Sequence, residues 1–115
     1  MPDNSFPKEN RLLTERDFSR VYEAGEKRAE RYFVFYLLDR EEAGSRIGIV
    51  TPKYLGKAVE RNRIKRQIRE SYRKNKDLFT GFDFVVRPRK EAVKLDNAEL
   101  AEDFLNDFRR IDKVV

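Results

Sequence analysis

From Glu60 to Lys74 the chain reads ERNRIKRQIRESYRK, and this stretch limits the fold more than any other. Ile64, Ile68 and Tyr72 recur every four residues, which at about 100° per residue makes one stripe along a helix. Asn62, Lys65, Arg66, Arg69 and Arg73 fall nearly opposite. Such a helix has a core face and a basic face, so it must lay its stripe on another element and leave the cations outside. The pattern predicts a helix from near Gly56 to about Lys74.

The element it packs on is legible as a sheet. YFVFYLL at Tyr32–Leu38 reads as a strand, with Phe33, Phe35 and Leu37 on one face and Tyr32, Val34 and Tyr36 on the other. A second strand is predicted over Arg46–Thr51, where Gly48 leaves a gap for close approach of another chain and Pro52 interrupts the ladder. A third, FDFVVR at Phe82–Arg87, follows a Thr80–Gly81 turn. Ahead of these, LTERDF opens a helix with Thr14 as N-cap, Asp17 three residues on, and Leu13 and Phe18 at staple positions. Gly25 is expected to close it in the left-handed conformation. The last helix starts from Asp96 with Glu99 at N3 and a Leu95–Leu100 staple. Its stripe is Leu100, Phe104, Leu105, Phe108 and Ile111, and Glu102, Asp103, Asp107 and Asp112 are read as solvated. Residues 1–10 read as a flexible leader. The expected order is α-β-β-α-β-α, a small mixed sheet with helices of the α+β class, in one domain over residues 1–115.

Charge separates this chain from an ordinary solvated domain. Residues 1–52 balance to −1 and residues 77–115 to −2, while residues 53–76 alone carry +8 of the net +5. Glu60 and Glu70 are the only acids among ten bases there, too few for i,i+4 pairing to neutralise the field. So concentrated a positive block is the footprint of a polyanion, most often nucleic acid. Aromatic residues supply the second half of the pattern. Phe18 and Tyr22 on the first helix are expected beside Tyr36 on the sheet face that the later helices leave open, where unpaired bases can stack.

The chemistry a chain like this can perform alone is narrow. It has no His and no Cys, hence no disulfide, no thiolate site and no nucleophile–base pair of the usual hydrolase kind. HExxH, P-loop and GxGxxG patterns are absent. Glu41–Glu42 and Glu102–Asp103 read as solvated pairs, and the sequence leaves open whether the protein itself holds a metal ion. MPDNSFPKEN has no apolar signal core and the longest apolar run is seven residues, so a cytoplasmic protein without membrane contact is expected.

GKAVERNRIKRQIRESYRK, with RNR at Arg61–Asn62–Arg63, resembles the signature of the protein subunit of bacterial ribonuclease P. RLLTERDFSRVYEAG, SRIGIVTPK and DFVVRPRK stand around it in that family's order, so the resemblance covers roughly Arg11–Lys90. One departure stands out: the family's Ser-Lys-Lys after the strand is Thr-Pro-Lys here, with Pro52 in the middle and Lys53 retained.

The resemblance implies an α-β sandwich with a left-handed β-α-β crossover around the basic helix. It also implies a protein that assists a catalytic RNA subunit, with Mg2+ held mainly by RNA, in removing the 5′ leader of precursor tRNA. Carried over by position, Phe18, Tyr22, Tyr36, Lys53, Arg66, Arg69, Arg89 and Lys90 would line the leader cleft. Arg61, Asn62, Arg63, Lys65 and Arg73 would meet the RNA subunit; no catalytic side chain and no obligate protein partner is expected. The alternative is a structural RNA-binding protein of ribosomal type, which needs the basic helix but no cleft for a single strand. A helix-reading DNA-binding protein is disfavoured by the lack of a helix-turn-helix.

Overall fold

The computed structural model describes residues 8–114, with side chains placed through Ile111. Residues 1–7 of the expected leader and the Asp112 side chain thus lie outside the described residues. Lys8–Asn10 form a short 3-10 turn, and Asn10 Nδ2 donates to the Ser45 carbonyl at 3.0 Å, so this end of the leader is tied down. Three helices, α1 (Glu15–Ala24), α2 (Ala58–Lys74) and α3 (Asn97–Val114), accompany four strands: β1 (Glu26–Ala29), β2 (Phe33–Asp39), β3 (Arg46–Ile49) and β4 (Phe82–Pro88). The sheet order is β1-β2-β4-β3, with β3 parallel to β4 and the other pairs antiparallel.

β1 was not legible in the sequence. EKRA has no apolar alternation and lies mostly exposed at the sheet edge, so backbone pairing to β2, from Glu26 opposite Leu37 to Ala29 opposite Val34, is what makes it a strand. Its charges suit an edge that must not recruit another chain.

Strand alternation divides the core. Phe33, Phe35, Leu37, Ile47, Phe84 and Val86 face α2 and α3, where Ile64, Ile68, Tyr72, Phe104 and Phe108 meet them. Each fully buried side chain of this kind contributes about 1.5–3 kcal/mol before entropy is counted. Tyr32, expected on the other face, precedes β2 and packs against this larger cluster as well. The opposite face carries a smaller cluster, Leu12, Val21 and Val85, with Phe18, Tyr36 and Leu38 packed against it under α1. Helices therefore cover both faces of the sheet, and among the described residues α1 is alone on one of them.

Local chemistry explains the helix starts. Thr14 Oγ1 accepts from the Asp17 N–H at 3.1 Å while the Asp17 carboxylate accepts from Thr14, a complete capping box worth about 1 kcal/mol. Asp96 and Glu99 repeat it ahead of α3 at 2.8 and 2.9 Å. The staple differs from expectation: Leu13 stays 55% exposed, and Leu12 joins Phe18 in the small cluster instead.

Two glycines and one acid also behave differently from the sequence reading. Gly25 is extended at φ −87° rather than left-handed; it is required because a Cβ there would lie 2.4 Å from the Val21 carbonyl and 2.7 Å from that of Leu37. The gap at Gly48 is filled from within, since a Cβ would meet the Phe18 ring at 2.6 Å. Asp107 is buried, not solvated, and one oxygen, Oδ2, accepts the N–H groups of Tyr32 (2.8 Å) and Phe33 (3.1 Å) where β2 begins. Arg110 pairs with its other oxygen. Burial pushes the Asp107 pKa above its ordinary value of 3.8, against the lowering effect of these donors.

Candidate nucleic-acid interface

Two candidate surfaces emerge, one basic and aromatic beside α1 and one basic along the outer side of α2. On the α1 side, Tyr22 and Tyr36 meet edge to face with ring centroids 4.8 Å apart. Tyr22 is 40% exposed and Tyr36 half-buried. The Arg87 guanidinium lies 5.8 Å from the Tyr36 ring centroid, within cation–π range. Burial raises the Tyr22 pKa, opposed by Arg87, so its hydroxyl stays protonated at neutral pH. Phe18 stands behind this pair, seated on Gly48 as part of the small core. All three aromatics lie on the α1 side with part of their surface open, Tyr22 exposed and Phe18 and Tyr36 half-buried.

Beneath α1 the same face holds a buried carboxylate. Asp83 accepts from Arg40 at 2.9 Å and from Arg46 at 2.8 and 3.1 Å, with Arg20 3.9 Å away. Burial works against its charge, but the Arg46 and Arg40 hydrogen bonds outweigh that and hold its pKa below the ordinary 3.8. The cluster ties β3, β4 and the β2 end together beneath α1.

Lys53 and Lys90 are exposed beside this face, in the short turns Lys53–Leu55 and Lys90–Lys94. Arg89 is partly committed: its N–H donates to the Tyr32 carbonyl at 2.8 Å and its guanidinium to that of Glu30 at 3.0 Å. Sequence reasoning missed Lys27, Tyr54 and Arg87, which share a basic hollow with Arg89 and Lys90. Arg87 alternates with Val86 and Phe84 along β4, a signal that places it on the open face; Lys27 had none, because β1 was not foreseen.

The second surface is the outer side of α2. Because Ile64, Ile68 and Tyr72 bury on the α3 side of the sheet, Arg66 and Arg69 project away from it. They stand exposed on this face of the helix with exposed Asn62 and half-buried Lys65. Among the described residues, Lys65, Arg66 and Arg69 form no ion pair within 4.0 Å, while Arg73 binds Glu70 at 2.8 Å. That hydrogen bond, against slight burial, lowers the Glu70 pKa.

Inside the RNR sequence the three residues part company. Arg61 Nε donates back to the Gly56 carbonyl at 3.2 Å. Asn62 is exposed. Arg63 turns inward: it donates to the carbonyls of Val93 (3.1 Å) and Leu95 (3.2 Å) and to Asn97 Oδ1 (3.0 Å), and pairs with Glu60 at 3.1 Å. Its guanidinium staples α2 to the segment that leads into α3.

Among the described residues no group of three His, Cys, Asp or Glu side chains is placed to hold a metal ion, and no helix is long and apolar enough to cross a membrane. Comparison with known proteins agrees with this architecture. The family model described as Ribonuclease P matches residues 6–112. The Ribonuclease P protein component of Desulforapulum autotrophicum is 39% identical over 112 residues, covering 96% of each chain. That of Ectopseudomonas mendocina is 43% identical, covering 96% of this chain and 84% of the other. Among solved structures, the Staphylococcus aureus RNase P protein superposes with a TM-score of 0.82 at 32% identity, over 89% of this chain and 94% of that one. The Thermotoga maritima RNase P protein gives 0.78 at 37%, over 87% and 96%. The chain belongs to the ribonuclease P protein-component family, whose members serve with an RNA subunit in the endoribonuclease that processes the 5′ leader of tRNA.

Proposed function

We propose that the two surfaces divide the labour of the holoenzyme, each binding a different RNA. The open sheet face beside α1 grips the single-stranded leader of precursor tRNA: Tyr22 and Tyr36 offer ring surface to its bases, Phe18 backs them, and Lys53, Arg89 and Lys90 meet its phosphates. The outer face of α2, with Arg61, Asn62, Lys65, Arg66, Arg69 and Arg73, binds the RNA subunit through its backbone. The magnesium ions of the hydrolysis are held by that RNA, and the protein, one domain working in the cytoplasm, lowers the magnesium needed by binding leader and RNA together.

The observation that carries this reading is the Tyr22–Tyr36 pair, half open and overlain by Arg87, on a sheet face that, among the described residues, one helix covers. A purely structural RNA-binding protein would use the α2 face and has no need of that pair. Reconstitution tests it. With a bacterial ribonuclease P RNA and a precursor tRNA, adding this protein should raise cleavage at low magnesium far above RNA alone, and Tyr22→Ala with Tyr36→Ala should remove most of the gain. Unchanged stimulation by the double variant would leave only the structural role.

A further inference from the structure

We infer that the leader track does not end at Tyr36 but continues into the hollow around Tyr54, which takes one more unpaired base of the RNA and an adjoining phosphate. The inference rests on the cleft reading above and extends it past Arg89 and Lys90 to Tyr54 and Lys27, which that reading does not use.

The hollow has a volume of ≈350 Å³ and is open to solvent along one side. Val34 gives it an apolar floor, and Tyr54, 55% exposed, stands in its wall. Lys27, Arg87, Arg89 and Lys90 surround them. Glu91 also borders it, 3.7 Å from Arg89, and offsets one of those charges, so the hollow keeps a net positive field. An exposed ring over an apolar floor with several cations around it fits a nucleobase attached to a phosphate, and fits a neutral or cationic ligand poorly.

Sheet register makes the hollow continuous with the tyrosine pair. Lys27 lies opposite Tyr36 on β1, and Val34 lies opposite Arg87 on β4. Tyr36 and Val34 are successive side chains on one face, about 7 Å apart along β2. Arg87 both overlies the Tyr36 ring and lines the hollow, so it spans the two positions. Among the described residues α1 covers the other end of this face: its contacts run from Gly48 through Val85 to the Leu37 carbonyl beside Gly25, with half-buried Val50 also packed against that cluster. A strand lying on Tyr22 and Tyr36 therefore has a path toward Tyr54 that no helix covers among the described residues.

The test is a leader-length series. Holoenzyme reconstituted with Tyr54→Ala, Tyr54→Phe or Tyr36→Ala protein is titrated with precursor tRNAs whose leaders grow one nucleotide at a time, and with mature tRNA. Tyr54→Ala should weaken binding about 5- to 10-fold, the low end for base stacking because the ring stays wet on one side. The loss should set in at a different leader length from that of Tyr36→Ala, and Tyr54→Phe should bind like the parent. If Tyr54→Ala matches the parent at every length while Tyr36→Ala does not, the extension is wrong and the cleft stands. If Tyr54→Ala costs mature tRNA as much as precursor, the hollow meets another part of the complex and the inference is overturned. If Tyr36→Ala also fails to separate precursor from mature tRNA, the cleft itself is wrong.

Discussion

Replacing Asp107 with Ala separates a structural acid from a solvated one. Both N–H groups that Asp107 receives, from Tyr32 and Phe33, end on Oδ2, and the residue is 1% exposed. Alanine leaves two donors without a partner at the start of β2, each costing about 1–3 kcal/mol. Burial already opposes the carboxylate's charge, as its raised pKa shows, so the net loss falls in the lower half, about 2–4 kcal/mol. Arg110 adds little, because its side chain is 49% exposed and stays hydrated. Asparagine provides a sharper control. Its amide oxygen can take the Oδ2 position and keep both N–H bonds, losing only the ion pair, so it should cost within about 1 kcal/mol. Urea unfolding followed by circular dichroism measures both, and Asp107→Ala should lower the melting temperature by roughly 10–20 °C. An alanine variant as stable as the parent, or an asparagine variant as damaged as alanine, would refute the account of these bonds.

Arg63→Ala and Arg63→Lys should behave alike, both raising amide exchange over Val93–Asn97, because a lysine keeps the charge but not the fork that reaches two carbonyls and Asn97; rescue by lysine would mean the charge, not the staple, matters. Arg66→Ala with Arg69→Ala should leave the fold intact and reduce the slope of log affinity for the RNA subunit against log salt by about 0.7–0.9 per lost contact. An unchanged slope would count against the α2 face. For Asp83 the folded pKa is lowered, so its contribution to stability is present above the ordinary 3.8 and lost as pH falls through the folded value. Asp83→Asn should cost about 3 kcal/mol near pH 6, the low end for losing a buried partner because Arg40 keeps Glu42 at 3.7 Å and Arg46 keeps Asp17 at 3.9 Å, and should flatten the loss of stability below pH ~4; equal acid sensitivity in both proteins would contradict this.

Local patterns carried most of the fold. The Ile64–Ile68–Tyr72 stripe and the two capping boxes depend on residues within a few positions of each other, and they lie in the structure as the sequence implies. What stayed hidden depends on long-range placement. β1 exists because β2 supplies its backbone partners, and Asp107 is buried because its position on α3 meets the start of β2, 75 residues away in sequence. The site followed the same division. Residue types announced a basic helix face and an aromatic sheet face, but only the layering shows that Ile64, Ile68 and Tyr72 pack in the larger cluster while Tyr36 packs against the smaller one under α1. Arg63 lies within an Arg-rich signature, and its inward turn is set by carbonyls some thirty residues downstream.

The central claim is that the α1 side of the sheet recognises an unpaired leader. The most direct measurement compares the affinity of holoenzyme for precursor and mature tRNA with parent and Tyr36→Ala proteins. Base–aromatic stacking is worth about 1–3 kcal/mol, so Tyr36→Ala should weaken precursor binding about 5- to 150-fold. Mature tRNA, which lacks the leader, should bind as before. Equal weakening of both, in a protein whose melting is unchanged, would contradict the claim.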